Sequence, residues 1–488
     1  MKIFRFVSVF LTLSLLITLT AFSSGEEMRR YQQTITVEFA SADAAAEADL
    51  VPLELPVGKT LALASRWDDT TFAHLSMAKT LSENGWKGTF FLNKVNSDFV
   101  SKVVRPSVGM GCSVGVHTIN HPHLETVAPD RLFYELLGNK ILIEQATDLC
   151  ANTFTFPFGL HSTPDSLSST EVQGEAIRRT GLFGGAENLG KAKKMNLAPD
   201  QFISPYLFRA DDKDPQLSVF SNGFNQGLRL LKKGPFDSGP CFILGVHSWQ
   251  QNIHKDGFDR LSKILATRSH NPKYWYCNCS EYIAYRLAYL KNKVEKKEVR
   301  NNTAVFTLSC LYPADLGSDC PMGYKLSREP KTISVNGKSI PAADQGEFML
   351  PNDPQFTVPV KIDCIENKEN GDPRSNTLVS QKIPGIQFGS QIDWNKNRLA
   401  IHIENKSDKT LSDPYFTVRL PLRWKEGILY RSAKSIPAGQ SLDLEIPLGE
   451  IDSNDAFSTG KLFAAVSCDF VQEKNILRLY STLFIEKK

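Results

Sequence analysis

Charge of one sign is what this sequence lacks most clearly. Its 56 lysines and arginines nearly balance 53 aspartates and glutamates, leaving a net charge of +3 over 488 residues. So even a balance carries no electrostatic footprint for nucleic acid and no polybasic membrane anchor. Long apolar runs are absent after Phe22, and nothing beyond that point predicts a bilayer crossing. Cysteine is sparse and odd in number, nine in all, which argues against a fully paired disulfide framework. Cys112, Cys150 and Cys241 lie in or beside apolar runs and read as small hydrophobes. Cys310 and Cys320 flank a turn-rich stretch where a bridge would suit an exported protein. Cys277-x-Cys279 has no second pair at zinc-finger spacing. No internal repeat or low-complexity tract is found. What remains, 41% hydrophobic and 22% charged, is globular material long enough for several domains.

The amino terminus is the exception. Lys2 and Arg5 precede an uncharged run from Phe6 to Phe22, followed by Ser23-Ser24-Gly25 and Glu26-Glu27. Charged, apolar and small-residue segments in that order predict a signal peptide over 1–25, with a retained anchor as the alternative reading. The first reading implies a secreted, periplasmic or cell-envelope protein with no stable membrane span after cleavage.

Residues 26–57 read as one alternating strand, Thr34 to Phe39, and a linker. From Gly58, apolar runs at 61–64, 88–92, 113–117, 153–156, 182–185, 206–209, 241–246 and 274–277 predict strands. Helical periodicity covers 72–83, 129–150, 165–180, 216–233 and 258–267. Strands alternating with helices predict parallel pairing, and seven or eight such units predict an α/β barrel over 58–295. Its chemistry would sit at the carboxyl ends of the strands. The charged run Lys291 to Arg300 reads as a solvated helix end and linker. Beyond it, alternating runs between Gly, Pro, Asn and Asp turns predict one or two all-β sandwich modules. These are a β-rich module over 296–385, with a hairpin at Asn336-Gly337, and an immunoglobulin-like sandwich over 386–488.

Three of the predicted strand ends carry polar groups of one chemical kind. His117 and His121 follow one, Asp68 and Asp69 another, and His247 a third. Imidazole and carboxylate are ligands for zinc-like ions. Taken singly, each has a plainer reading: an Asp-Asp pair as a solvated turn or cap, a histidine at a strand end as a hydrogen-bonded core group. Their joint order is what points to a site. Neighbours on a regular strand face opposite ways, so Asp68 and Asp69 share a site only where the chain curls. His123 follows too closely to reach the same ion; His74, His161, His254 and His270 read as surface or loop groups, and His402 as structural.

The Asp-Asp pair, His117-x-x-x-His121, Phe156-Pro157-Phe158-Gly159 and a late strand ending in His247 together resemble the polysaccharide deacetylase family. This is carbohydrate esterase family 4, with the NodB-homology fold. The resemblance runs from about Gly58 to Leu290 and includes Tyr274-Trp275-Tyr276 and Glu281-Tyr282 near its end. It implies a distorted (β/α) barrel of seven to eight strands. It further implies one divalent metal ion, zinc foremost among zinc, cobalt, nickel and manganese, held by Asp69, His117 and His121. Asp68 becomes the catalytic base and His247 the general acid. The implied activity is metal-dependent hydrolysis of N-acetyl or O-acetyl groups on an acetylated glycan, with Phe158, Trp249 and Trp67 as candidates to stack on a sugar face. The β modules would position the enzyme on a polymer or shield a flank. A glycan-binding protein without turnover, or an amidase or esterase acting on another substrate, fits the same residues. Departures are visible too: Thr70 stands for the family's Gly and Trp67 for its common Phe. Thr155 stands for an Arg that orients the base, and Arg209, steadied by Asp211 or Asp212, is the candidate replacement.

Overall fold

The computed structural model describes residues 30–159, 163–184, 206–208, 225, 239–253, 255–311, 321–342, 346–350, 379–380, 383–393, 396–451, 462–472 and 475–485. The expected signal peptide, the helix expected over 216–233 apart from Asn225, and His161, His254, Arg209, Asp211, Asp212, Cys320 and Cys364 lie outside them.

The chain opens with β1 (Arg30–Glu38), α1 (Ala42–Glu47) and β2 (Leu50–Pro52). It then enters the site-bearing domain through β3 (Leu61–Asp68), all eight residues of which are buried. Burial on both faces suits a central parallel strand. β4 (Thr89–Leu92), β5 (Ser113–Val116), β6 (Tyr206–Phe208) and β7 (Cys241–Val246) line up in the order β5-β4-β3-β7-β6. β8 (Tyr274–Tyr276) pairs with the first residues of β3, and every pairing in this sheet is parallel. Gly245 is required here: a Cβ at that position would lie 2.1 Å from the Arg66 carbonyl, so only glycine lets β7 pass so close to β3.

The expected strand 153–156 supplies only a bridge from Phe154 to Val116, and none forms at 182–184. Among the described residues the sheet therefore has six strands. Two further expectations change in detail. The helix expected from Asp165 begins at Thr170, where the Ser169 side chain caps it. The run expected as helix end and linker is an edge strand, its lysines and glutamates discouraging further pairing. Helices α2 (Ala73–Glu83), α3 (Ser97–Phe99), α4 (Arg105–Gly109), α5 (Pro129–Thr147), α6 (Thr170–Thr180), α7 (Ser248–Ile253), α8 (Gly257–Ala266) and α9 (Cys279–Lys291) complete this domain. Its core gathers Trp67, Met77, Phe90, Leu136, Ile177 and Leu261. No described helix is long and apolar enough to cross a membrane.

The following strands are β9 (Lys293–Arg300), β10 (Thr303–Leu311), β11 (Met322–Leu326), β12 (Thr332–Val335), β13 (Lys338–Ile340) and β14 (Glu347–Leu350). They form two sheets, β13-β12-β1-β10-β9 and β14-β11-β2, around Ile35, Val37, Phe306, Tyr324 and Phe348. The amino-terminal segment thus supplies one strand to each sheet. Asn336 and Gly337, both at positive φ, turn β12 into β13.

The last module contains β15 (Val379–Ser380), β16 (Ile386–Asp393), β17 (Arg398–Asn405), β18 (Ser412–Arg419), β19 (Ile428–Ser432), β20 (Ser441–Pro447), β21 (Leu462–Gln472) and β22 (Asn475–Ile485). Its sheets, β15-β22-β21-β18-β19 and β16-β17-β20, share a core of Leu399, Ile401, Phe416, Val418 and Val466. This module is bound to the parallel-sheet domain by buried charge. Lys140 Nζ donates to Glu144 Oε1 at 2.7 Å, and the Tyr480 hydroxyl donates to Glu144 Oε2. Arg478 lies 3.6 Å from the same carboxylate and pairs with Asp469 at 2.5 and 2.9 Å. Burial alone would raise the Glu144 pKa, but the Lys140 and Arg478 charges outweigh it and hold the carboxyl below its ordinary value. Nearby, Arg179 Nη1 donates to the Pro421 carbonyl at 2.6 Å and Arg419 Nη1 to the Arg179 carbonyl at 2.7 Å.

Candidate metal centre

The centre forms where β3, β5 and β7 end. Asp69 lies at φ 74°, a left-handed conformation that breaks the alternation of β3 and turns its carboxylate toward the side that Asp68 faces. Thr118 (φ 66°) and His121 (φ 53°) do the same for the loop after β5, and Phe158 (φ 59°) for the loop facing it. Four of the ten non-glycine residues at positive φ among the described residues therefore surround one point. Each such residue costs roughly 1–3 kcal/mol, a cost that persists where surrounding bonds over-determine the backbone. Those bonds are present. The buried Glu135 carboxylate accepts from the backbone N–H of Ile119 (3.0 Å) and of Asn120 (2.9 Å), and from Asn120 Nδ2 (2.8 Å). On the loop's other side, Asn93 Nδ2 donates to the carbonyls of His117 (2.6 Å) and Thr118 (3.1 Å).

Asp69, His117 and His121 bring their ligand atoms within 4.8 Å of one another. The two Nε2 atoms are 3.1 Å apart and lie 3.8 and 3.5 Å from Asp69 Oδ1. A tetrahedral ion with bonds of about 2.0–2.2 Å spaces its ligands by roughly 3.3–3.6 Å, so the set fits a divalent metal. The tautomer fits as well. His117 Nδ1–H donates to the Thr155 carbonyl at 3.0 Å, which leaves the Nε2 lone pair facing Asp69 and His121. Burial, acting against the Asp68 charge, holds the His117 pKa below its ordinary value, so the imidazole is neutral and able to ligate.

Asp68 stands beside this cluster, its Oδ2 4.0 Å from His117 Nε2. Its partner is Arg66, two residues earlier on the same face of β3. Arg66 Nε donates to Oδ1 at 2.9 Å and Nη2 to Oδ2 at 2.5 Å, with both side chains buried. Thr155 adds a hydroxyl donated to Oδ1 at 3.3 Å. Burial would raise the Asp68 pKa, but the Arg66 charge, then His117, hold it below the ordinary value. The partner expected from sequence, Arg209, lies outside the described residues. The strand's two-residue period puts Arg66 and Asp68 on one face once β3 is seen to run as far as Asp68.

That same period corrects Trp67. It faces the opposite side of β3, is fully buried in the core, and donates its Nε1–H to Ser65 Oγ at 2.8 Å, so it offers no face to a sugar. Phe158, 54% exposed, stacks on His123 and sits edge-on to His121. Trp249, 37% exposed, donates its indole N–H to Asp69 Oδ2 at 2.9 Å. His247 Nε2 is 3.8 Å from the same oxygen.

His74 is also corrected. Expected as a surface or loop group, it is fully buried at the start of α2, stacked on Phe90 with ring centroids 4.2 Å apart. Its pKa falls from the ordinary 6.5 to about 4, with burial as the main cause and the Asp69 carbonyl and carboxylate acting against it. The unfolded chain then takes up a proton below pH 6.5 that the folded imidazole refuses until about pH 4. Stability present above pH 6.5 is accordingly lost as the pH falls toward 4. At about 1.4 kcal/mol per pH unit the loss is roughly 3 kcal/mol. Urea unfolding at pH 7 and pH 4.5 should show that slope reduced in His74→Gln; equal slopes in the two proteins would refute it.

Residues 62–171 match the family named Polysaccharide deacetylase. No curated protein sequence matches the chain. Among solved structures, a family 4 carbohydrate esterase from Streptomyces lividans in complex with acetate is 14% identical, with a TM-score of 0.29, covering 43% of this chain and 88% of its own. A family 4 acetyl xylan esterase from Clostridium thermocellum in complex with a cobalt ion is 16% identical, with a TM-score of 0.32 and coverage of 45% and 89%. A peptidoglycan deacetylase from Bacillus subtilis is 13% identical, with a TM-score of 0.28 and coverage of 46% and 91%. The chain resembles the polysaccharide deacetylase family over the segment that supplies Asp68, Asp69, His117, His121 and Thr155.

Proposed function

We propose that this protein is an exported, metal-dependent deacetylase that hydrolyses N-acetyl, or alternatively O-acetyl, groups on a glycan. In this reading the parallel sheet is part of a distorted barrel and zinc is the resident ion. The observation that carries the proposal is the convergence on one point of a three-ligand set and a paired carboxylate, all from a segment of deacetylase pattern, with a further imidazole, His247, from beyond it. Asp69, His117 and His121 would hold the ion, which when bound polarises an acetyl carbonyl and makes water more acidic. Asp68, kept ionised and aimed by Arg66, accepts a proton from the attacking water. His247 supplies a proton to the departing amine, which leaves poorly without one. One group must accept and another must donate, so the site pairs a carboxylate with an imidazole. Phe158, edge-on to His121, and Trp249, bonded to Asp69, are the exposed aromatics beside the ligands against which a pyranose ring would rest.

The test is acetate release from a panel of acetylated glycans, with and without chelator. Release should require metal and fall at least a hundredfold in Asp68→Asn. A protein that binds the glycans yet releases no acetate from any of them would favour the reading without turnover. Release from acetylated non-carbohydrate amides or esters alone would favour the third.

A further inference from the structure

The ligand Asp69 is gripped twice by the corner that carries His247. Trp249 holds its carboxylate, as described, and the second grip passes through His74. His74 Nε2 lies 2.5 Å from the Asp69 backbone carbonyl, and Nδ1 lies 2.8 Å from Ser248 Oγ. A carbonyl can only accept, so Nε2 carries the proton, and the lone pair on Nδ1 accepts from the Ser248 hydroxyl. The ring is fully buried and packed flat on Phe90, so it has no room to turn. Ser248 itself is buried and sits between His247 and Trp249. One imidazole therefore joins the backbone of a metal ligand at the end of β3 to the residue following the proton donor at the end of β7. Asp69 needs that hold, because its left-handed backbone relaxes toward ordinary strand geometry once the carbonyl is released.

We infer that His74 is a positioning residue that sets the metal ligand Asp69 and the proton donor His247 at a fixed separation through Ser248. The inference rests on the roles proposed above for Asp69 and His247, and it adds a residue that touches neither ion nor substrate.

The test uses three substitutions in the full chain. Glutamine at 74 places an N–H near the position of Nε2 and keeps the Asp69 bond; asparagine places an acceptor near Nδ1 and keeps the Ser248 bond. Ser248→Ala cuts only the His247 side. Co2+ affinity, read by competition with a chromophoric chelator, should fall at least tenfold in His74→Asn and stay within threefold of wild type in His74→Gln and Ser248→Ala. Acetate release by His74→Gln and by Ser248→Ala should lose at least tenfold in kcat with KM within threefold. The double variant His74→Gln/Ser248→Ala should be no worse than either single change, because both break one bridge. A merely structural role would lower stability without this split between the two isosteres. The inference is overturned if His74→Asn binds Co2+ as wild type does, if Ser248→Ala keeps its kcat, or if the double losses multiply. Should the wild-type protein release no acetate from any substrate, the deacetylase reading fails, and the order of Co2+ affinity between the two isosteres decides the bridge.

Discussion

Replacing Arg66 with methionine is expected to lower kcat for acetate release about a hundredfold while leaving KM and Co2+ affinity close to wild type. A misplacement of about 1 Å in a reacting group costs on that order. Arg66 fixes both oxygens of Asp68 through a side-on pair of bonds, whereas Thr155 reaches only Oδ1, and at 3.3 Å. Methionine fills much of the arginine's volume but offers no donor, so Asp68 keeps its burial and loses its aim. None of the three metal ligands bonds to Arg66 in the described contacts of the centre, which is why metal affinity should survive. Arg66→Lys separates geometry from charge: it keeps the cation and loses the fork, and should recover only part of the rate. Because a broken buried pair also destabilises, the unfolding midpoint has to be measured alongside. A wild-type kcat in Arg66→Met would show that Asp68 needs no such partner.

Arg478→Met should cost about 3–5 kcal/mol of stability, the toll for stranding buried charge. Arg478 is fully buried and serves two carboxylates, Asp469 in its own module and Glu144 on α5. Without it, Asp469 loses its bidentate partner, and Glu144 keeps Lys140, Tyr480 and the Ala151 backbone N–H. Urea unfolding at constant pH measures the loss, and a change below 1 kcal/mol would mean that packing alone carries the interface. The apolar part is substantial, since Leu422, Phe463 and Ala465 from the last module belong to the same core cluster as Trp67 and Leu136. The last module is thus built into the domain that holds the site. Its one large exposed aromatic among the described residues, Phe484, packs against Tyr134 of α5 and Phe463.

The histidine pair, the Asp-Asp pair and His247 were legible because each sits where an apolar run stops, and a parallel sheet delivers such ends to one edge. The Asn336-Gly337 hairpin was legible because only residues tolerant of positive φ make that turn. Other features were not. Arg66 reads as an interruption in a buried strand until the strand is seen to place it beside Asp68. Trp67 reads as a sugar platform until the opposite face of the same strand is found to be core. His74 shows no sequence pattern at all, because its partners are a backbone carbonyl five residues away and a serine 174 residues away.

Residue type and hydrophobic period, both local properties, marked strand ends that carry imidazole and carboxylate side chains; the roles proposed for those groups follow from the family resemblance. Which groups steady them was decided only when distant segments met. Glu135 and His74 act through hydrogen bonds to the backbone of other segments, and the direction of such a bond depends on backbone geometry that one-dimensional spacing does not carry. The amino-terminal strands show the same division. The alternation of the first was visible in the chain and the second fell in the expected linker, and their place between β10 and β12 and beside β11 depends on partners about 270 residues or more away.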